Sequence, residues 1–106
     1  MQSTNAIIQH FKFVGTATTG DNGSTTLKMS EKLNTERMHI VFVRNLNGAN
    51  EVYPPYAYLV YMRANGYGYT PLGAPKEVQR VSIATAQLTI TFNNTQYARM
   101  WVFEIA

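Results

Sequence analysis

Apolar and polar residues along this chain alternate with a period of two over most of its length, the pattern of strands that bury one face. The clearest case is the last strand, Tyr97 to Ile105. Tyr97, Arg99, Trp101, Phe103 and Ile105 share one face, and Ala98, Met100, Val102 and Glu104 the other. The aromatic set predicts the inward face, with Trp101, Phe103 and Ile105 packing against Leu88, Ile90 and Phe92 of a hairpin partner joined through Asn93-Asn94. Ala98, Met100 and Val102 are too apolar for open solvent, so the opposite face should lie under other segments or against another subunit.

Seven or eight such segments follow one another, each bounded by Gly, Pro, Asn or Asp, and none keeps helical periodicity for more than a few turns. Ala6 to Val14 reads as the first strand and Gly15 to Gly23 as a loop whose Asp21-Asn22-Gly23 favours positive φ. Ser24 to Ser30 alternates, with Thr25, Leu27 and Met29 on one face, and Glu31 to Glu36 is a polar connection with room for one helical turn. Arg37 to Arg44 sets Met38, Ile40 and Phe42 against His39, Val41 and Val43. Being apolar on both sides, it predicts a mid-sheet strand covered on both faces.

Tyr56 to Ala64 resumes alternation after Pro54-Pro55, and Asn65-Gly66 reverses the chain. Tyr67 to Leu72 is an edge strand, because Pro71 has no amide hydrogen for a second neighbour. Lys76 to Ala86 has apolar residues at both helical and strand spacings, and β-branched Val81, Ile83 and Thr85 favour the strand. The expectation is a single all-β domain over residues 1–106, an antiparallel β-sandwich or jelly roll.

Composition narrows the chemistry. Charged residues are 14% of 106, well below the roughly 25% of an average soluble domain, so much of the surface must be Thr, Asn, Gln, Ser and Tyr. The net charge of +3 is scattered from Lys12 to Arg99 and forms no basic arm for nucleic acid. The absence of cysteine removes thiol catalysis and thiolate metal sites. No basic residue precedes the short apolar pair Ile7 and Ile8, so the N-terminus does not read as a signal peptide, and no apolar run is long enough for a membrane helix.

Catalytic motifs are missing from the sequence. There is no Gly-x-Ser-x-Gly elbow, phosphate loop or zinc-helix signature, and Asp21, Glu31, Glu36, Glu51, Glu77 and Glu104 are too dispersed to suggest an acid and base pair. His10 and His39 lie in alternating segments, where partly exposed polar surface is the commoner role than a metal ligand. The chain therefore reads as a non-enzyme with no cofactor and no metal.

Two segments resemble the paired signatures of the RNA-recognition motif. Val41-Phe42-Val43-Arg44-Asn45-Leu46 resembles its short motif, and Asn65-Gly66-Tyr67-Gly68-Tyr69 part of its longer one. The resemblance implies base stacking on Phe42, Tyr67 and Tyr69. About twenty residues separate the segments, and Pro54-Pro55 and a Tyr-rich strand occupy the interval where that family needs a helix. A core strand and a glycine-containing loop account for the same residues.

The seven tyrosines are the remaining functional signal. Tyr58, Tyr61 and Tyr97 fall inside alternating strands and are expected to be buried. Tyr53, Tyr56, Tyr67 and Tyr69 lie in or beside loops, where an exposed ring can stack on the apolar face of a sugar while its hydroxyl bonds outward. The candidate ligand-binding residues are Tyr67, Tyr69, Tyr53, Asn50 and Arg63, rings for stacking and polar groups for hydroxyls.

The low charge, the Thr and Asn content, the many short strands and the aromatic strand at the very end together resemble the head domain of a phage tail fibre. That resemblance implies a β-sandwich that forms trimers on a virion and recognises a cell-surface carbohydrate or protein without catalysis. A free carbohydrate-binding module and a structural virion protein without a ligand are the other open readings.

Overall fold

Residues 11–19, 23–45, 55–63, 66–73 and 78–105 are described by a computed structural model and form eight strands, with no helix among them. The strands are β1 (Phe11–Thr18), β2 (Ser24–Lys32), β3 (Met38–Asn45), β4 (Tyr56–Arg63), β5 (Gly66–Pro71), β6 (Val78–Ala84), β7 (Gln87–Gln96) and β8 (Ala98–Ile105). They make two antiparallel sheets, one ordered β1-β8-β3-β4-β5 and the other β2-β7-β6. This is the expected all-β sandwich. Nested pairing of β1 with β8, β2 with β7 and β4 with β5 follows a jelly roll, but β6 pairs β7 rather than β3.

The core lies between the sheets. Leu27 and Met29 of β2, Leu88, Ile90 and Phe92 of β7, and Val81 of β6 meet Val41 and Val43 of β3, Tyr58 and Val60 of β4, and Ala98, Met100 and Val102 of β8. All are nearly withdrawn from water, and each such side chain contributes roughly 1.5–3 kcal/mol through burial. Strand β3 is third of five, as its two apolar faces suggested.

The inward face of β8 is the reverse of the one expected from its aromatics. Ala98, Met100 and Val102 are buried, whereas Trp101, Phe103 and Ile105 are only partly covered and lie on the outer face. In β3, expected to be covered on both faces, His39, Val41 and Val43 are inside and Met38 and Phe42 stand exposed, so this central strand is covered on one face only. Register explains the coherence. Phe42 is opposite Trp101, Ile40 opposite Phe103 and Met38 opposite Ile105, so inverting one strand inverts the other.

Strands β7 and β8 are not a hairpin. Strand β7 continues through Asn93 and Asn94 to Gln96, with an irregularity in its register against β2 between Thr91 and Gln96, and the chain then changes sheets across the single residue Tyr97, which is 39% exposed rather than buried. Thr19 holds this corner. Its Oγ1 accepts from the Ala98 amide over 2.9 Å, and its own amide donates to the Ala98 carbonyl over 3.0 Å.

At the other end of the chain, β1 extends to Thr18 where a loop from Gly15 was expected. A bulge between Phe13 and Gly15 shifts the phase of the strand, so Phe11 and Phe13 point out before it while Gly15 and Ala17 face inward after it. That phase change hides the strand from a simple alternation test. Connection 33–37 contains a turn but no helical turn, and Leu33 buries there while its amide donates to the Ala86 carbonyl. Segment 78–84 is the strand its β-branched residues favoured, and β5 is the edge strand that Pro71 required.

Candidate functional site

Strand β5 begins at Gly66, whose φ of +129° is open to glycine and strained for other residues. From there Tyr67 and Tyr69 share one face and Gly66 and Gly68 the other. The register with β4 sets Gly68 beside Tyr61, Tyr69 beside Val60 and Tyr67 beside Met62. Gly68 is buried and Tyr61 half-buried where they meet. Tyr61, Tyr67, Gly68 and Tyr69 line a cleft of about 340 Å³ at this edge.

The three rings differ in how they are held. Tyr67 is half-buried, and its hydroxyl donates to the Val81 carbonyl of β6 over 2.8 Å, which joins the edges of the two sheets. Tyr69 is 41% exposed and meets Tyr58 edge-on, with ring centroids 5.9 Å apart. Tyr58 is itself buried and touches Tyr56 in the same way at 5.8 Å, so Tyr69 ends a row of rings rooted in the core. Tyr61 is half-buried on the far side of Gly68. Such rings offer preformed faces and outward hydroxyls at little further cost in rotamer freedom.

Of the residues expected to bind, Tyr67 and Tyr69 come together in this cleft. Tyr53 and Asn50 lie outside the described residues. Arg63 closes β4 opposite Gly66, and its side chain is likewise outside them. Tyr61 was expected in the core and instead completes the cleft. Its place at the cleft follows from the β4–β5 register, which alternation along the sequence does not reveal.

A second, polar concavity of about 350 Å³ opens where β1 meets β2 and is lined by Lys12, Glu31, Lys32 and Glu104 among others. Two carboxylates far apart in sequence thus reach one groove, but each shares it with a lysine. Next to it Glu104 accepts an ion pair from Arg37 at 3.8 Å and lies opposite His39 in the β3–β8 register. His39 is buried, and its Nε2 has no hydrogen-bond partner among the described residues. Burial lowers its pKa below the usual histidine value, against the opposing pull of Glu104 and a hydrogen bond with the backbone of Arg37. His10 lies outside the described residues, and among the described residues no group of three His, Asp or Glu side chains is placed to hold a metal ion.

The described residues of the two segments that resemble the RNA-recognition motif, 41–45 and 66–69, fall on β3 and β5, and β4 lies between them, while Leu46 and Asn65 lie outside the described residues. Phe42 is on the outer face of the sheet, whereas Tyr67 reaches toward the second sheet. They form no common stacking platform. No family model, curated protein or solved structure matches the chain.

Proposed function

We propose that this chain is a non-catalytic recognition module, similar to the head of a phage tail fibre, whose tyrosine cleft takes a neutral sugar of a cell-surface glycan. A cleft at the β4–β5 edge, lined by Tyr61 and Gly68 of one face and Tyr67 and Tyr69 of the other, carries the reading. Sugar rings present apolar C–H faces that stack on aromatic rings, and their hydroxyls exchange hydrogen bonds with phenols.

Titration of neutral oligosaccharides into the purified chain tests this. Tyr61→Ala and Tyr69→Ala should each weaken binding about 10-fold or more, with little response to salt, because a neutral ligand displaces no counterions. Undiminished binding by a folded Tyr61→Ala, Tyr69→Ala double variant rules out the cleft. The competing reading, a structural virion protein that assembles without a ligand, is favoured by a different observation, the apolar outer face of the larger sheet.

A further inference from the structure

His39 lies on the inner face of β3 and is 1% exposed, yet Nε2 of its ring has no hydrogen-bond partner among the described residues. Its other ring nitrogen is held by the backbone of Arg37, through a bond that favours the protonated ring. A carbonyl oxygen has that effect, so Nδ1 carries the proton of the neutral imidazole and Nε2 is a bare lone pair. Solvent does not serve it. The slot that His39 lines with Thr35, Arg37 and Tyr61 is too narrow to hold a water molecule.

The cross-strand neighbours of His39 are Glu104 of β8 on one side and Val60 of β4 on the other, and beyond Glu104 comes Lys12 of β1. Residues directly opposite on one face keep their Cβ atoms about 4.5–5.5 Å apart, which puts the Glu104 carboxylate within reach of the imidazole. A lone pair and a carboxylate are both acceptors and form no bond with each other. Glu104 pairs instead with Arg37, Oε1 to Nε over 3.8 Å, longer than the roughly 2.7–2.9 Å of a strong charge-assisted bond. The Arg37 side chain is 49% exposed and that of Glu104 17%, so the pair is loose and its cation has water to return to.

We infer that protonation of His39 exchanges the partner of Glu104: the carboxylate leaves Arg37 and accepts from the new Nε2–H, and the Arg37 guanidinium turns out to solvent. The exchange gives the carboxylate to the cation that water cannot reach. An enclosed imidazolium needs a paired charge, whereas a half-exposed guanidinium is hydrated when its carboxylate departs. Around the slot β4 and β6 supply Val60, Tyr61 and Ile83, and the β2–β3 connection supplies Leu33, Thr35 and Arg37, of which only Arg37 is charged at neutral pH. Lys12, past Glu104 in the same row, opposes a further cation. Glu31 and Lys32 of β2 lie in the neighbouring groove with Lys12 and Glu104, and Glu36 is exposed in the connection. Glu104 is therefore the carboxylate in register with the ring. Its pair with Arg37 also fastens the connection to β8, so acid undoes that fastening while the Leu33 amide keeps its bond to Ala86. The inference does not rest on the sugar reading of the tyrosine cleft.

Nuclear magnetic resonance of the whole isotope-labelled chain, titrated from about pH 7.5 to about pH 5, tests the exchange, with His10→Gln used to tell the two histidines apart. As His39 takes up its proton, the Arg37 Nε–H signal should move to the position of a free guanidinium with the same midpoint, and the Glu104 carboxyl carbon should stay that of an ionised group. An Arg37 signal that does not follow His39 overturns the inference, and so does a ring that stays neutral throughout. Glu104→Gln keeps the shape and removes the charge, so the His39 midpoint should fall and the Arg37 signal should be that of a free guanidinium at every pH. Arg37→Gln removes the competitor, and the midpoint should rise equally at about 0.1 M and about 1 M salt, because a buried pair is screened far less than an exposed charge. If Glu104→Gln fails to fold, Arg37→Gln decides alone: an unchanged midpoint, or a rise that salt abolishes, overturns the exchange.

Discussion

Tyr67 and Val81 join the two sheets at their edges, the phenol of one strand donating to the backbone carbonyl of the other over 2.8 Å. Strands β5 and β6 belong to different sheets and are not paired as strands, so this bond ties an open side of the sandwich. Tyr67→Phe keeps the ring and removes the donor. It should lower stability by about 1 kcal/mol in a denaturant titration while leaving sugar binding within a few fold, because the ring stays in place and the lost hydroxyl was bonded to Val81. A large loss of binding with no loss of stability would place the Tyr67 hydroxyl on the ligand instead.

The corner at Thr19 makes a separate prediction. Thr19 is 6% exposed, and its hydroxyl serves the Ala98 amide just after the chain has crossed between sheets. Thr19→Val preserves shape and leaves that buried amide without its acceptor. The expected cost is about 1–3 kcal/mol, read from the shift in denaturant midpoint at constant slope.

Thr85 and Ala86 form the two-residue turn of the β6–β7 hairpin with φ of +51° and +65°. Both angles suit Asn-Gly far better than a β-branched residue followed by alanine. Thr85→Asn with Ala86→Gly should stabilise the protein by about 1 kcal/mol, provided the Ala86 carbonyl keeps its bond from the Leu33 amide. Thermal unfolding of the double variant beside the parent measures it.

His39 makes stability depend on pH. Its folded pKa is lowered, so the unfolded chain takes up a proton more readily than the folded one once the pH falls to about 6.5 and below. Stability from this residue is therefore fully present above about 6.5 and declines as the pH drops further. Denaturant midpoints at pH 7.5 and 5.5 should show the decline, and His39→Gln should flatten it. His10 is the other histidine in the chain, and its contribution stays in the His39→Gln baseline.

The candidate site was half legible in the sequence. Glycines flanking Tyr67 and Tyr69 marked a segment where rings are left uncovered, and those two tyrosines do line the cleft. Tyr61 was assigned to the core because alternation within β4 looks the same whether its neighbour strand supplies a side chain or, at Gly68, none. Glu31 and Glu104 share a groove for a similar reason: only the proximity of β1, β2 and β8 brings them together.

The period of two, the turn residues and the missing helical stripes determined that this chain would be an antiparallel sandwich, since those are local properties of the backbone and its side chains. They also placed β3 mid-sheet and β5 at an edge. Which face of each strand turns inward was a tertiary decision. In β8 the choice lay between a row of Trp101, Phe103 and Ile105 and a row of Ala98, Met100 and Val102, and the smaller, more compact row went inside. The interior already holds Tyr58, Phe92, Met29 and Leu88, and a core packed at crystal-like density has room opposite them for Ala98 and Val102 but not for Trp101. Hydrophobicity alone ranks the aromatic row higher. Volume between two sheets about 10 Å apart reverses that ranking, and it leaves the aromatic row on the outside.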